Sequence, residues 1–271
     1  MPHHVNTTPA TGCVPRSRVG TCSIGGAFDR GRSSVDRNRL LESLPEQDLA
    51  LLARHFRVVP LGHGAVLHEP EDPIGSVYFP LSGAVSLLVV MKSGEAVEIA
   101  SVGREGAVGF WPLSDLWEAR ARAIVQVPGL AKSIPSTVLR AVLAQSEPIR
   151  DLVSHFTETI SAQSLRVAAC NALHTGEQRV ARWLLQMSDR IASPDVPVTQ
   201  AVLSQILGLQ RTTVTFITHR LEEDHLICHR RGHICIVNRE SLQAIACECY
   251  DAWREAERGF HHPTLASAVG S

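Results

Sequence analysis

Residues 198–221 constrain this chain most, because their pattern fits two short helices joined by a tight turn. The segment reads VTQAVLSQILGLQRTTVTFITHRL, with Gly208 at the turn, where a residue without Cβ adopts positive φ without steric cost. Thr199 is placed to cap the first helix. The segment predicts a helix-turn-helix motif, although two amphipathic helices around a glycine also occur in ordinary helical cores. The apolar positions are Val202, Ile206, Leu207, Leu209, Val214, Ile217 and Leu221.

Side chains that donate and accept hydrogen bonds crowd the start of the second predicted helix. Such side chains suit base edges and phosphates, and an arginine here can reach a guanine through two hydrogen bonds. The pattern therefore predicts a surface that binds duplex DNA. The predicted contact residues of this motif are Thr199, Gln210, Arg211, Thr212, Thr213, Thr215 and His219.

A hairpin with a basic tip is predicted directly after the second helix. Residues 226–228 and 234–237 are short apolar or alternating runs, and the turn between them reads His-Arg-Arg-Gly-His. A helix-turn-helix followed by such a hairpin is typical of a winged helix, whose tip contacts phosphates beside the groove. Arg230 and Arg231 are the predicted contacts, with an ordinary solvated hairpin as the alternative. Asn238 is placed to cap the following helix.

Local charge, rather than net charge, supports a DNA partner. The 271 residues carry a formal net charge of −1, yet a local set of basic side chains falls within 23 residues: Arg211, His219, Arg220, His229, Arg230, Arg231 and His233. The sequence contains no apolar run of membrane-spanning length and no apolar segment of a signal peptide. Seven cysteines without a disulfide-framework spacing favour a reducing compartment. We therefore expect a cytoplasmic protein without a membrane partner.

Composition and periodicity divide the chain into five regions. Residues 1–36 are expected to be a disordered extension, 37–145 a β-roll, 146–174 a long helix, 175–250 the winged helix-turn-helix domain and 251–271 a tail. Within the roll, residues 40–56 have helical periodicity, and Ser93-Gly94 marks a hairpin turn. Short strands with regular turn signals predict an antiparallel barrel or roll. The predicted strands are 58–59, 65–67, 77–79, 85–90, 97–102, 123–127 and 131–134.

The long predicted helix begins near Ser146 and spans about 28 residues, or roughly 40 Å. An apolar stripe on such a rod suits a partner helix, and helix-turn-helix proteins commonly bind two half-sites as dimers. We expect a two-fold dimer interface along this stripe, with packing against the barrel of the same chain as the alternative. The predicted interface residues are Ile149, Leu152, Phe156, Ile160, Gln163 and Val167.

The order of roll, long helix and winged helix-turn-helix resembles the family of the cyclic-AMP receptor protein and the fumarate-nitrate reductase regulator (Crp/Fnr). The resemblance covers about residues 40–250 and is most specific over 174–190 and 198–227. It implies an α+β fold: an N-terminal antiparallel β-roll of the cyclic-nucleotide-binding type, a dimerisation helix and a C-terminal winged helix-turn-helix. It also implies a homodimeric transcription factor on a pseudo-palindromic operator in double-stranded DNA, with RNA polymerase as a further candidate partner.

Two positions of the predicted recognition helix depart from the best-known member of that family. Arg211 matches its recognition arginine, whereas Thr212 and Phe216 replace a glutamate and a second arginine. The resemblance therefore places Arg211 on a guanine but implies a different half-site.

The resemblance also implies what a nucleotide pocket needs: a glycine–glutamate stretch and an arginine next to a hydroxyl residue. Glu105 is out of register with the expected glutamate, and Arg120-Ala121-Arg122 supplies no hydroxyl. We expect no cofactor and no cyclic nucleotide. Glu105, Arg120 and Arg122 remain candidates for another effector, or line an empty pocket. Trp111 and Trp117 are candidates for the same pocket or for the core.

Signals for metal binding and catalysis are weak in the sequence. Cys247 and Cys249 are spaced more closely than a standard zinc half-site, Cys170 and Cys228 fit a core, and Cys13 and Cys22 have no third cysteine nearby. We therefore predict no metal site. No catalytic or nucleotide-binding motif favours an enzyme. A cyclic-nucleotide-dependent regulator and a small-molecule receptor without DNA binding are the alternative functions.

Overall fold

The computed structural model describes residues 37–110 and 118–259. The expected disorder of 1–36 and the pocket candidates Trp111 and Trp117 lie outside the described residues. In the described part of the chain, no helix is long and apolar enough to cross a membrane.

The N-terminal roll consists of two antiparallel sheets. One sheet has the strand order β1-β7-β3 and the other β2-β6-β4-β5, and each predicted strand overlaps one of them. Gly94 forms the predicted turn between β4 and β5 with φ of +86°. The strands are β1 (Arg57–Leu61), β2 (Val66–His68), β3 (Ser76–Pro80), β4 (Ala84–Val90), β5 (Ala96–Val102), β6 (Arg122–Val127) and β7 (Gly129–Pro135).

Three short helices cover the roll: α1 (Arg39–Glu42), α2 (Glu46–Ala53) and α3 (Ser136–Leu143). The predicted helical region 40–56 thus divides into two helices, since the chain turns at Pro45, whose extended backbone precedes α2. Leu40 and Leu52 bury their side chains in the core of the roll. Burial of this apolar surface holds the helices against the sheets.

The predicted long helix is α4 (Glu147–Leu173), which begins at the Ser146 cap. The apolar stripe of its first half, however, packs on the roll of the same chain. Ile149, Phe156 and Ile160 are 1%, 2% and 5% exposed and belong to the core of the roll, and Leu152 packs partly against it. The prediction that these residues form the dimer interface is wrong for this face of α4, because the roll already covers it.

The second half of α4 presents a different face to solvent. Gln163 and Val167 are half-buried, whereas Leu165 is 74% exposed. Ala162, Leu165, Ala169 and Ala172 are all exposed and follow the 3-4-3 spacing of a helix contact stripe. The helix therefore changes its role along its length, from packing on the roll to an uncovered apolar face.

The C-terminal region is a winged helix-turn-helix domain, as predicted. Its helices pack around Trp183, Leu184 and Leu203, which are 1% exposed or less. The wing strands β9 and β10 pair with β8 in the order β8-β10-β9. The elements are α5 (Gly176–Ile191), β8 (Asp195–Val196), α6 (Gln200–Leu207), α7 (Arg211–Glu223), β9 (Ile227–Arg230), β10 (His233–Ile236), α8 (Arg239–Ile245) and α9 (Cys249–Gly259).

The helix α9 corrects the prediction of a tail from residue 251. Residues 251–259 continue this helix, and Trp253 is only 8% exposed. Its indole lies under the Arg190 guanidinium, at 4.7 Å from carbon Cζ to the ring centroid. The helix α9 is thus part of the folded DNA-binding half.

Candidate nucleic-acid interface

The turn between α6 and α7 sets the angle between these two helices. Gly208 ends α6 with φ of +59°, and its N–H and that of Leu209 bond to carbonyls in the last turn of α6. The Thr199 side chain accepts a hydrogen bond from Val202 N, so its predicted capping role is confirmed. At the start of α7, the Gln210 side chain makes no capping hydrogen bond. The first N–H groups of α7 are therefore available to donate hydrogen bonds to a phosphate oxygen.

The helix α7 divides its side chains between core and solvent as the periodicity predicts. Val214 and Leu221 are completely buried, whereas the predicted DNA-contacting residues of this motif are all exposed. Phe216 is 64% exposed among them. Phe216 was not among the predicted DNA-contacting residues. An aromatic residue between polar positions of a recognition helix could, however, have indicated a contact with DNA. The exposed predicted residues are Thr199, Gln210, Arg211, Thr212, Thr213, Thr215 and His219.

A chain of hydrogen bonds connects α6, α7 and the wing through Gln200. The Thr215 hydroxyl donates to Gln200 Oε1 at 3.0 Å, while Gln200 Nε2 lies 3.0 Å from Thr218 Oγ1 and 3.1 Å from His229 Nε2. The other ring nitrogen of His229 lies 2.8 Å from Glu222 Oε2. Sequence reasoning missed Gln200, because only the folded domain brings these three elements together. The chain of bonds holds the recognition helix and the wing in one fixed arrangement.

The wing carries fewer available cations than its sequence suggests. His229 faces Glu222, and His233 lies 3.4 Å from Asp195. Hydrogen bonds from the backbone N–H and ring of His229 lower the pKa of Glu222. Arg230 and Arg231 are exposed beside Gly232, which forms the turn with φ of +79°. The positive charge that can reach DNA from the wing is therefore that of the two arginines.

Two further basic side chains of α7 lie beside carboxylates. His219 Nε2 is 3.4 Å from Glu223 Oε1, and Arg220 is 3.6 Å from Glu177. These exposed pairs are weak, but they lower the net positive charge at the C-terminal end of α7. The free positive charge of the helix is therefore concentrated at Arg211, at its start.

Polar contacts join the roll to the DNA-binding half. The Trp183 indole donates to Glu98 Oε1 at 2.9 Å, and Ser86 Oγ donates to the same carboxylate at 2.5 Å. Burial raises the pKa of Glu98 despite these hydrogen bonds. Arg190, on α5, forms a buried ion pair with Glu105 at 2.8 Å. A change at β5 or at the loop that follows it is therefore felt directly by α5.

The three predicted effector residues do not converge on one pocket. Glu105 pairs with Arg190 and accepts a hydrogen bond from Gly103 N at 2.9 Å, so it faces the DNA-binding half. Arg122 pairs with Glu69 at 2.8 Å, and Arg120 is exposed. The prediction that they share a site is wrong, because Glu105 faces α5, Arg122 faces Glu69 and Arg120 faces solvent.

Cavities near the roll differ in size and in lining. Inside the roll, the described residues leave about 20 Å³ lined mostly by apolar side chains such as Leu87 and Ala121, which is room for about one water molecule. A larger cavity of about 140 Å³ lies between β5, α4 and α9, bordered by Glu105, Gln163 and Trp253. Among the described residues, a small molecule thus has more room beside Glu105 than inside the roll.

The cysteines are arranged differently from the prediction. Cys170 is buried, as predicted, but Cys228 is only half-buried on the wing strand β9. Sequence reasoning missed that His174, Cys247 and Cys249 lie next to Cys170 in the fold. Cys170 is 77 positions from Cys247, and His174 is 75 from Cys249. Spacing rules therefore gave no signal that the two halves of the cluster meet.

Comparison with known proteins agrees with this architecture. Residues 178–245 match the Crp-like helix-turn-helix domain. Over 190 residues the chain is 26% identical to the global nitrogen regulator of Synechococcus elongatus, which covers 66% of this chain and 85% of that protein. The structure of FixK2 from Bradyrhizobium japonicum has a TM-score of 0.61 at 17% identity and covers 71% of this chain and 98% of its own. The c-di-GMP responsive regulator CLP of Xanthomonas campestris has a TM-score of 0.58 at 17% identity, over 71% and 99% of the two chains.

Fold and comparisons together define a regulator with a helix-turn-helix DNA-binding domain. The chain resembles the Crp/Fnr family of transcriptional regulators, as the sequence predicts, and the structure confirms the predicted fold class.

Proposed function

We propose that this protein is a sequence-specific transcription factor that reads an operator in double-stranded DNA through α7 and the wing. The observation that carries the proposal is the exposed polar start of α7, held beside the basic wing by the hydrogen bonds of Gln200. Such an arrangement presents base-reading and phosphate-binding groups on rigid elements, as a helix in the major groove requires.

Each exposed side chain receives a role from its chemistry. Arg211, at the start of α7, reads a guanine through two hydrogen bonds, and Phe216 contacts a thymine methyl group. Gln210, Thr212 and Thr213 contact base edges or phosphates nearby. Arg230 and Arg231 bind phosphates and carry little sequence information. Thr215 serves mainly to position Gln200, to which it donates its hydroxyl proton.

The same proposal includes a homodimer formed through the second half of α4. The exposed residues Ala162, Leu165, Ala169 and Ala172 follow the spacing of a helix that packs on a parallel copy of itself. Gln163 and Val167 flank this stripe. Two-fold symmetry would place two α7 helices on two half-sites, so the operator is expected to be a pseudo-palindrome. We infer a cytoplasmic location, with RNA polymerase as a candidate partner.

The signal is proposed to enter beside Glu105 rather than inside the roll. A small molecule in the cavity of about 140 Å³ would contact Glu105 and Trp253, next to the buried Arg190. It would thereby bias the ion pair that links the roll to α5. A cyclic nucleotide is disfavoured because the described interior of the roll leaves about 20 Å³.

Selection of bound sequences from a random duplex library, followed by titration, tests the proposal. We expect one enriched pseudo-palindrome, bound by the wild type and lost with Arg211→Ala. The matched control is Arg57→Ala, which removes an exposed arginine from β1 of the roll. Failure to enrich any sequence, or equal operator affinity of Arg211→Ala and the wild type, would contradict the assignment of α7 as the reading helix.

A further inference from the structure

Four potential metal ligands meet where α4 ends and α9 begins. Cys170, His174, Cys247 and Cys249 each offer one donor atom, and all four atoms lie within 4.8 Å of one another. The three cysteines are 1%, 4% and 7% exposed. Cys170 lies in the last turn of α4, and His174 is the residue that directly follows this helix. Cys247 and Cys249 come from the junction of α8 and α9.

The distances fit a single tetrahedral ion. Zinc–sulfur bonds of about 2.3 Å imply edges of roughly 3.8 Å between two sulfurs, and zinc–nitrogen bonds of about 2.05 Å imply roughly 3.6 Å between sulfur and nitrogen. Cys170 Sγ lies 3.6 Å from Cys247 Sγ, and Cys249 Sγ lies 3.7 Å from His174 Nδ1. Both distances are close to tetrahedral edges. A cluster of several irons and sulfides would need its ligands farther apart.

The surroundings of the four ligands supply an independent observation. Arg179 and Arg182 are 7% and 5% exposed, and the Nε of each lacks a hydrogen-bond partner in the described structure. Both interact electrostatically with the cysteines of the cluster. A site of three thiolates, one neutral imidazole and one divalent cation carries a net charge of −1. Such a site would offset the two buried guanidinium groups, which pair with no carboxylate among the described residues.

The orientation of the histidine also fits metal binding. Nδ1 of His174 points to the cysteine side, while Nε2 lies 3.8 Å from Glu248 Oε1. In metal sites the ligating histidine commonly directs its other ring nitrogen to a carboxylate, which sets the tautomer and the ring orientation. Glu248 lies between the two ligands Cys247 and Cys249, so the chain brings this carboxylate to the ring together with them.

We propose that Cys170, His174, Cys247 and Cys249 bind one Zn²⁺ ion in a closed structural site. Thiolate and imidazole ligands favour zinc, and four protein ligands in a buried site leave no open position for substrate or water. Because the ligands come from the C-terminal end of α4 and from the junction of α8 and α9, the ion joins the end of the long helix to the start of the C-terminal helix. The site thereby fixes the DNA-binding half against α4, the helix that carries the proposed dimer face.

The test measures the metal content of the full-length protein purified without chelator. We expect one zinc ion per chain in the wild type, almost none in Cys249→Ser, and one per chain in the control Cys228→Ser, whose cysteine lies on the wing outside the cluster. Replacing zinc with Co²⁺ should give the strong visible absorption of tetrahedral cobalt bound by thiolates.

A second measurement keeps the test valid if Cys249→Ser folds poorly. Metal-free wild type is titrated with Zn²⁺ against a chromophoric chelator, while thermal unfolding is followed by circular dichroism. One zinc should bind per chain and raise the Tm, and Cys228→Ser should behave identically. The proposal is overturned if the folded wild type holds no zinc and takes up none. Two further findings in the purified wild type would also overturn it. One is a stable Cys170–Cys247 disulfide in place of bound zinc, and the other is the visible absorption of an iron–sulfur cluster.

Discussion

Removal of the two wing arginines tests how the protein holds DNA. The change is Arg230→Ala together with Arg231→Ala, at the exposed turn beside Gly232. Each phosphate that a cationic side chain neutralises contributes about 0.9 to the slope of log K against log salt concentration for duplex DNA. Two contacts therefore contribute about 1.8, so the variant should show a slope shallower by about that amount.

The structure favours a slope change of about 1.8 over a change of about 3.6. If all four basic or ionisable side chains of the wing bound phosphates, the slope would change by about 3.6 on their removal. His229 and His233 face Glu222 and Asp195, so we count only the arginines. With a slope difference of about 1.8, a fourfold rise in salt weakens the wild type about 12-fold more than the variant.

Fluorescence anisotropy at several salt concentrations measures these slopes. The operator and a scrambled duplex should lose affinity in parallel, because phosphate contacts carry little base information. The matched control Arg57→Ala keeps the same type of change but places it on the roll. A wild-type slope in the double variant would refute the wing–phosphate contact. A loss confined to the operator would instead mean that the wing reads bases.

The remaining predictions concern base reading, assembly and pH. Arg211→Ala should lose about 1–3 kcal/mol of discrimination at one guanine position, measured by titrating operators changed at each base pair; uniform weakening at all sequences would contradict that role. Leu165→Asp should yield folded monomers in light scattering, whereas Phe156→Asp should lower the unfolding free energy by about 3–5 kcal/mol or more because it empties part of the roll core; a dimeric Leu165→Asp would place the interface elsewhere. Burial of the Glu257 carboxyl, together with repulsion from Glu105, raises the pKa of Glu257 from its ordinary 4.5 to about 7. The folded state therefore binds more protons than the unfolded state between these values, and the contribution of Glu257 to stability falls as pH rises through that window. Glu257→Gln should flatten the decline in Tm between pH 5 and pH 8, and an unchanged profile would exclude this carboxyl as its source.

The recognition surface shows how much local sequence can predict. Thr199, Gly208 and Asn238 occupy positions whose capping or turn role depends on a few neighbouring residues, and the structure confirms each of them. The alternation of the strands and the 3.6-residue period of α7 are also local properties. They predicted the strands, the wing and the exposed side of the recognition helix.

The apolar stripe of α4 shows where local sequence stops. Periodicity predicts that Ile149, Phe156 and Ile160 are buried. It does not distinguish burial against a second copy of the chain from burial against the roll of the same chain. Only the packed structure places the three side chains in the roll core and leaves Leu165 uncovered. The choice depends on the shape of the whole roll, which no window of the sequence contains.

By itself, then, the sequence determined the elements, their order, the resemblance to Crp/Fnr regulators and the face of α7 that meets solvent, since these depend on residues within a few turns of one another. Tertiary structure alone decided which surface of α4 remains free, that Glu105 pairs with Arg190 across 85 positions, and that Cys170 meets Cys247 across 77. Such contacts join residues far apart in the chain, and only the packing of the roll, the long helix and the winged domain brings them together.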